Sequence, residues 1–322
     1  MMTRTEFYEA VRRDVTGMVS GPLGMIAQVR EVLKDNDQVL HGLYITDPGK
    51  MSQMVPCIYL EPYYHELESG RPMEMIMREI AGVYEKHAMY KDIVGIPDLT
   101  YENIRSRLRV KVVDKARNEE RLRDLVSRNV GCGLVMTAYI ELGTHGEESR
   151  AVQVTKHLAR ENGYSPNEVM LDALMNASLA EPATFQSMEE AIFDLSGGKD
   201  SALLTDERGE VSEMGIYILS NTQGRYGAAA LFYPEVKELI AQKVGKSYFV
   251  LPSSLHEVII VPDNGSHTPE ALERMVKEVN RTQVAPEDVL CDRVMRYDRQ
   301  RKELSVAAGE LPKRETGREE AR

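Results

Sequence analysis

Apolar positions recur along this chain at two spacings, and the switches between them lay out its elements. Thr3 and Glu6 form a capping box ahead of Phe7, Val11, Val15 and Met18, whose spacing predicts an amphipathic helix ending near Ser20, Gly21 and Pro22. Residues 25–33 read as a strand, Asp35, Asn36 and Asp37 as a turn, and residues 39–45 as the return strand. After Pro48 and Gly49 comes a short strand at 57–60. Met73, Ile76, Met77, Ile80 and Val83 then share one face of a helix that ends around His87.

Residues 91–100 read as a linker. Residues 101–125 carry Arg105, Arg107, Arg109, Lys111, Lys115, Arg117, Arg121 and Arg123, interleaved with Glu102, Asp114, Glu119, Glu120 and Asp124. Such alternation reads as a solvated helix face laced with weak ion pairs. Strands at 134–142 and 151–154 follow around a Gly/Glu-rich turn, then a helix at 156–162 and another opened by Ser165 and Pro166. Ser187 and Glu190 form a capping box for a short helix through Ala191, Ile192 and Leu195. Two strands at 214–220 and 227–232 lead into a helix at 235–244, and a strand pair at 248–251 and 257–261 turns at Pro252, Ser253 and Ser254. Thr268 and Pro269 start a helix running to about Asn280, and strands at 293–297 and 303–307 close the pattern.

This order predicts an α+β protein with mixed or antiparallel sheets and packed helices, in two successive units. Residues 1–95 form the first, and residues 101–306 the second, with a linker or loop at 180–212 and a mixed-charge disordered tail at 307–322. The strand–turn–strand–helix order at 134–162 recurs at 214–244, a faint structural duplication.

Composition narrows the function classes. With 42% hydrophobic and 28% charged residues, the chain reads as an ordinary soluble globular protein. Its formal net charge of −11 argues against a general phosphate-binding surface, since nucleic-acid affinity rests on Lys and Arg. Nucleic-acid binding through 105–123 stays as a second alternative. Charges at Arg4, Glu6, Glu9, Arg12, Arg13 and Asp14 interrupt any apolar signal core, and no apolar run approaches the ~20 residues of a membrane span, so a cytoplasmic location is expected. Cys57, Cys132 and Cys291 are odd in number and far apart, and read as reduced thiols with no zinc pattern. Cys132 between Gly131 and Gly133 hints at a nucleophile in a tight turn, but a small buried residue opening the next strand is the plainer reading.

Three groups of residues could carry chemistry. Ser196, Gly197, Gly198, Lys199, Asp200 and Ser201 match the SGGxDS signature of PP-loop ATP pyrophosphatases, whose glycines let backbone N–H groups approach a pyrophosphate. That match implies an adenylating enzyme using ATP and Mg²⁺. The flanking sequence favours a helix end followed by turn chemistry, hence a surface linker. Ser253, Ser254, His256 and Glu257 set two hydroxyls, an imidazole and a carboxylate within five positions; with Asn221 and Tyr233 they could hold a small polar ligand, or His256 could serve a serine as base. The plainer reading is a turn whose hydroxyls satisfy backbone N–H groups. Tyr59, Tyr63, Tyr64, His65 and Glu66 form an aromatic-polar cluster suited to an interface or to a loop packed on the 73–83 helix.

The segments Gly42-Leu43-Tyr44-Ile45, Ile58-Tyr59-Leu60-Glu61, Ile216-Tyr217-Ile218-Leu219-Ser220-Asn221 and Leu251-Pro252-Ser253-Ser254-Leu255-His256-Glu257-Val258 are similar to a domain-of-unknown-function family. Its members are soluble proteins of Gram-positive anaerobic bacteria, often encoded near mobile elements. The resemblance spans most of residues 4–305 and implies a cytoplasmic bacterial α+β protein, with no activity, cofactor or catalytic residue attached. The expectation is a non-enzymatic accessory or protein-binding protein with a protein partner, no cofactor and no metal. The alternative is the ATP- and Mg²⁺-dependent enzyme.

Overall fold

The computed structural model describes residues 2–20, 24–49, 57–88, 99–145, 148–195 and 215–311. Residues 196–201, residues 89–98 and the tail beyond residue 311 lie outside them. The fold divides into two compact units, Met1–Lys34 with Gln38–Asp98, and Asp35–Asp37 with Leu99–Arg322. Among the described residues every strand pairing is antiparallel, in three sheets. The chain is an α+β protein.

In the first unit the Thr3–Glu6 capping box closes as the spacing requires and starts α1 (Arg4–Asp14). Strands β1 (Ile26–Leu33), β2 (Val39–Thr46) and β3 (Ile58–Tyr59) make a three-stranded sheet. Helices α2 (Glu61–Glu68) and α3 (Met73–Ala88) follow, and Phe7, Val11, Leu43, Ile45, Leu60, Ile76 and Ile80 form the core. The segment after Tyr59 is a helix and not a loop, started by Pro62 early in its first turn. Tyr64 is buried with its ring 5.7 Å from Phe7, so that tyrosine belongs to the core.

The second unit opens with α4 (Tyr101–Ile104) and β4 (Leu108–Asp114). Here the structure corrects the reading of 101–125 as a solvated helix face. Every residue of β4 is buried, including Arg109, Lys111 and Asp114. Leu108, Val110 and Val112 share one face of a strand, a period of two that the density of charge obscures. The charges are tolerated inside because each meets a partner. Lys111 Nζ lies 2.6 Å from both carboxylate oxygens of Asp35. Asp114 takes the guanidinium of Arg293 and the backbone N–H of Ala116 at 2.7 Å.

After α5 (Glu119–Leu122) come β5 (Ser127–Gly131), β6 (Leu134–His145) and β7 (Glu148–Gln153); β4 pairs along one edge of β6, β5 and β7 along the other. Helices α6 (Lys156–Glu161) and α7 (Pro166–Ala180) follow, and α7 packs on β4. The last sheet contains β8 (Ala183–Ser187), β9 (Tyr217–Asn221), β10 (Tyr248–Leu251), β11 (Val258–Pro262), β12 (Val294–Asp298) and β13 (Glu303–Ala308), ordered β13-β12-β10-β11-β9-β8. Three helices accompany it: α8 (Met188–Leu195), α9 (Val236–Lys243) and α10 (Pro269–Thr282). Tyr248, Val250, Ile260 and Met295 face the main core, while Phe249, Leu251, Val261 and Val294 meet Leu272 and Val276 of α10. Both faces of β10 are therefore covered, which is why it reads as an unbroken apolar run.

Residues 227–232, expected to be a strand, form a 3₁₀ helix. A Cβ added to Gly227 would lie 2.5 Å from the His256 carbonyl oxygen and 2.7 Å from the Asn221 nitrogen. Only a glycine lets the backbone pass there, and three alanines then bury a tight turn against β9 and β4. The suggested duplication fails at this point, because the 134–162 segment has a full strand in the matching place.

Candidate functional site

At the C-terminal end of α7 the second unit opens a cleft of about 480 Å³, lined by Arg107, Arg109, Glu141, Leu142, Gly143, Ala180, Glu181 and Gln223. Four separate parts of the chain supply these residues: the entry to β4, an irregularity in β6 between Glu141 and Gly143, the end of α7, and the turn after β9. Gly143 has φ of 118°, a conformation that side chains disfavour, and irregularities of this kind turn neighbouring side chains off the regular pleat.

Buried charge forms the floor. Arg109 Nε donates to Glu181 Oε1 at 3.1 Å, and its Nη1 donates to the carbonyls of Ser106 and Leu108, both at 3.0 Å. Its Nη2 pairs with Glu141 Oε2 at 3.3 Å. The other oxygen of Glu181 accepts from Asn221 Nδ2 at 3.2 Å. Burial pushes the Glu181 carboxyl above the usual carboxylate range; Arg109 opposes this and Glu141 adds to it. Burial likewise drives the phenols of Tyr139 and Tyr233 above their ordinary range, with Glu181 contributing to both. Arg109 thus has every nitrogen engaged, whereas Arg107 forms no ion pair among the described residues.

Asn221 joins this floor to the residues that follow β9. Its Oδ1 accepts from the backbone N–H groups of Gln223 and Arg225, and its Nδ2 donates to the Arg225 carbonyl at 2.9 Å. This loop delivers Tyr226 in a left-handed conformation, φ 53°. The Tyr226 ring stacks on His256 with centroids 5.7 Å apart and meets Tyr139 edge-on at 5.4 Å. The guanidinium of Arg225 lies 4.7 Å and the ammonium of Lys111 5.3 Å from that ring, within cation–π range.

The structure brings some of the sequence candidates together and leaves others in a turn. Asn221, Tyr233 and His256 belong to one connected region. His256 Nδ1 accepts the Tyr226 backbone N–H at 3.2 Å, which places the imidazole proton on Nε2, 3.4 Å from Asp288 Oδ1. Ser254 Oγ accepts from the N–H groups of His256 and Glu257 at 3.0 and 3.3 Å, and Ser253 Oγ donates to the Glu257 carbonyl. Ser253, Ser254 and Glu257 therefore build the β10–β11 turn, and His256 braces Tyr226. Ser196, Gly197, Gly198, Asp200 and Ser201 lie outside the described residues. Cys132 sits at φ 53° between two left-handed glycines, half-buried, and burial raises its thiol.

Sequence reasoning placed Arg109 in the basic segment 105–123 and passed over Glu141, Glu181, Tyr139 and Tyr226. The usable signal was Arg109 and Lys111 two apart among Val110, Val112 and Val113, a strand pattern with charges on it. Glu181 directly after an apolar helix was another. Among the described residues no group of His, Cys, Asp and Glu could hold a metal ion, and no helix is long and apolar enough to cross a membrane.

The chain belongs to the family of unknown function DUF5688, whose model matches residues 4–299. No curated protein and no solved structure matches it.

Proposed function

We propose that this member of DUF5688 is a non-enzymatic accessory protein that binds a protein partner, with the cleft of the second unit receiving an acidic group of that partner. One observation carries the reading. The buried groups Arg109, Glu181 and Asn221 are spent on one another, so they hold the cleft in shape, while Arg107 and Gln223 remain exposed at its rim. A saturated polar floor supports positioning, and an exposed guanidinium with no ion pair among the described residues suits a carboxylate, which it grips through two parallel N–H bonds. Glu141, which pairs with Arg109 through one oxygen, is placed to accept an adjacent N–H. A bacterial cytoplasm and a mobile-element context complete this reading, and they rest on the family resemblance.

N-acetyl amino acids present a carboxylate beside an N–H and serve as minimal probes. Calorimetric titration should show weak binding of the free acids, at least tenfold weaker binding of the corresponding amides, and loss of that preference in Arg107→Gln. Equal binding of acids and amides, or none of either, would sink the proposal.

The adenylating-enzyme alternative is supported by the Ser196–Ser201 sequence match. Nucleic-acid binding through 105–123 is the weaker reading, because Arg109 and Lys111 are committed to buried carboxylates.

A further inference from the structure

Helix α7 buries Val169, Met170, Ala173 and Ala177 and turns a second apolar row outward. Leu171 is 54% exposed, Met175 42% and Leu179 75%. Their spacing of four puts them on one ridge, which rises ~12 Å along the axis at 1.5 Å per residue. At 100° per residue, exposed Glu168 falls on the same face at the N-terminal end. At the opposite end, Arg107 lines the cleft together with Ala180 and Glu181. Neither Glu168 nor Arg107 forms an ion pair among the described residues. The neighbouring Asp172 is already occupied by Arg105, at 2.7 Å.

The ridge is palindromic about Met175: a leucine stands four positions to either side, with the acid Glu168 beyond one end and the base Arg107 beyond the other. A surface of that kind is its own complement under a two-fold rotation, the symmetry of most homodimers. We propose that α7 pairs antiparallel with α7 of a second copy of this chain. Met175 then meets its counterpart on the two-fold axis, Leu171 packs against the partner copy's Leu179, and Glu168 faces the partner copy's Arg107. Two such pairs of opposite charge close the ends of the apolar contact. Three side chains a side cover less than the ~800 Å² per partner of a standard stable interface, so the dimer is weak and depends on concentration.

Sedimentation velocity of the full chain from about 1 to 500 µM, a range that spans weak association, should show a monomer–dimer equilibrium. Met175→Glu sets two like charges on the axis and should abolish it while thermal unfolding stays as in the wild type. Oxidative cross-linking tests the register. Met175→Cys should link to itself faster than the wild type with Cys57, Cys132 and Cys291; Leu171→Cys should link only when mixed with Leu179→Cys. Glu168→Arg should weaken the dimer and Arg107→Glu in the same chain should restore it. A wild type monomeric across the range, a dimer that survives Met175→Glu, or Met175→Cys linking no faster than the wild type would overturn the proposal. Failure here is distinct from failure of the cleft reading: Met175→Glu removes the partner copy's Glu168 from Arg107, so the variant should bind the probe acids at least as well as the wild type.

Discussion

Glu181 shows how one residue ties stability to pH. Its carboxyl is buried, shares Arg109 with Glu141, and holds its proton to higher pH than an ordinary glutamate. A folded-state pKa above the unfolded one means that the folded form binds the proton more tightly. The group therefore adds stability that is full below the ordinary glutamate range and fades as pH rises through the raised range. Glu181→Gln removes the titration and keeps an oxygen for Arg109 Nε. The wild type should lose stability relative to this variant as pH rises above the ordinary glutamate range, a sign fixed by the linkage relation. Denaturant unfolding at several pH values checks it, and parallel pH curves for the two proteins would refute it. The same scale explains His256: with Nδ1 accepting the Tyr226 N–H and Nε2 facing Asp288, its ring works as a brace and has no free nitrogen to serve a serine.

Among the elements, the 3₁₀ turn at 227–232 decides how the cleft side of the second unit is assembled. Gly227 passes against Ser220, Asn221 and His256, and the turn brings Tyr226 and Tyr233 to the Asn221 region. Gly227→Ala places a methyl into that contact and should cost about 1–3 kcal/mol, the usual penalty of overpacking a filled site. The loss belongs in the unfolding free energy, with Tyr226 fluorescence or proton resonances reporting the shifted ring; a variant as stable as the wild type would mean the backbone gives way freely here. Capping signals were the most legible part of this scale. The boxes at Thr3–Glu6 and Ser187–Glu190 and the caps at Ser165 and Thr268 all form. The strand at 108–114 carried a period of two, but its charges obscured it, because the carboxylates and guanidinium that neutralise them lie in distant parts of the chain.

At the scale of the molecule, the excess of acidic residues and the burial of Arg109 and Lys111 leave little continuous basic surface on the β4 segment. The remaining enzyme reading predicts a direct response. If Ser196–Ser201 cradled a pyrophosphate, ATP with Mg²⁺ at about 100 times its dissociation constant would stabilise the protein by ~2.7 kcal/mol and raise the midpoint by several degrees. The expected outcome is no shift in either the wild type or Asp200→Ala. A shift present in the first and absent in the second would replace the binding proposal with nucleotide chemistry.

Sequence by itself determined the features that depend on near neighbours. Helix starts, the β10–β11 pair, the α+β class and the absence of a zinc spacing all follow from residues a few positions apart, where period, caps and turn residues act. The resemblance carried by 251–258 likewise stood in the residues themselves. Only the tertiary structure decided the cleft. Arg109 and Glu181 lie 72 positions apart, and Lys111 and Asp35 lie 76 apart. A charge on a strand reads as solvent-exposed until the partner that neutralises it is brought to ~3 Å, and chain folding alone brings it there.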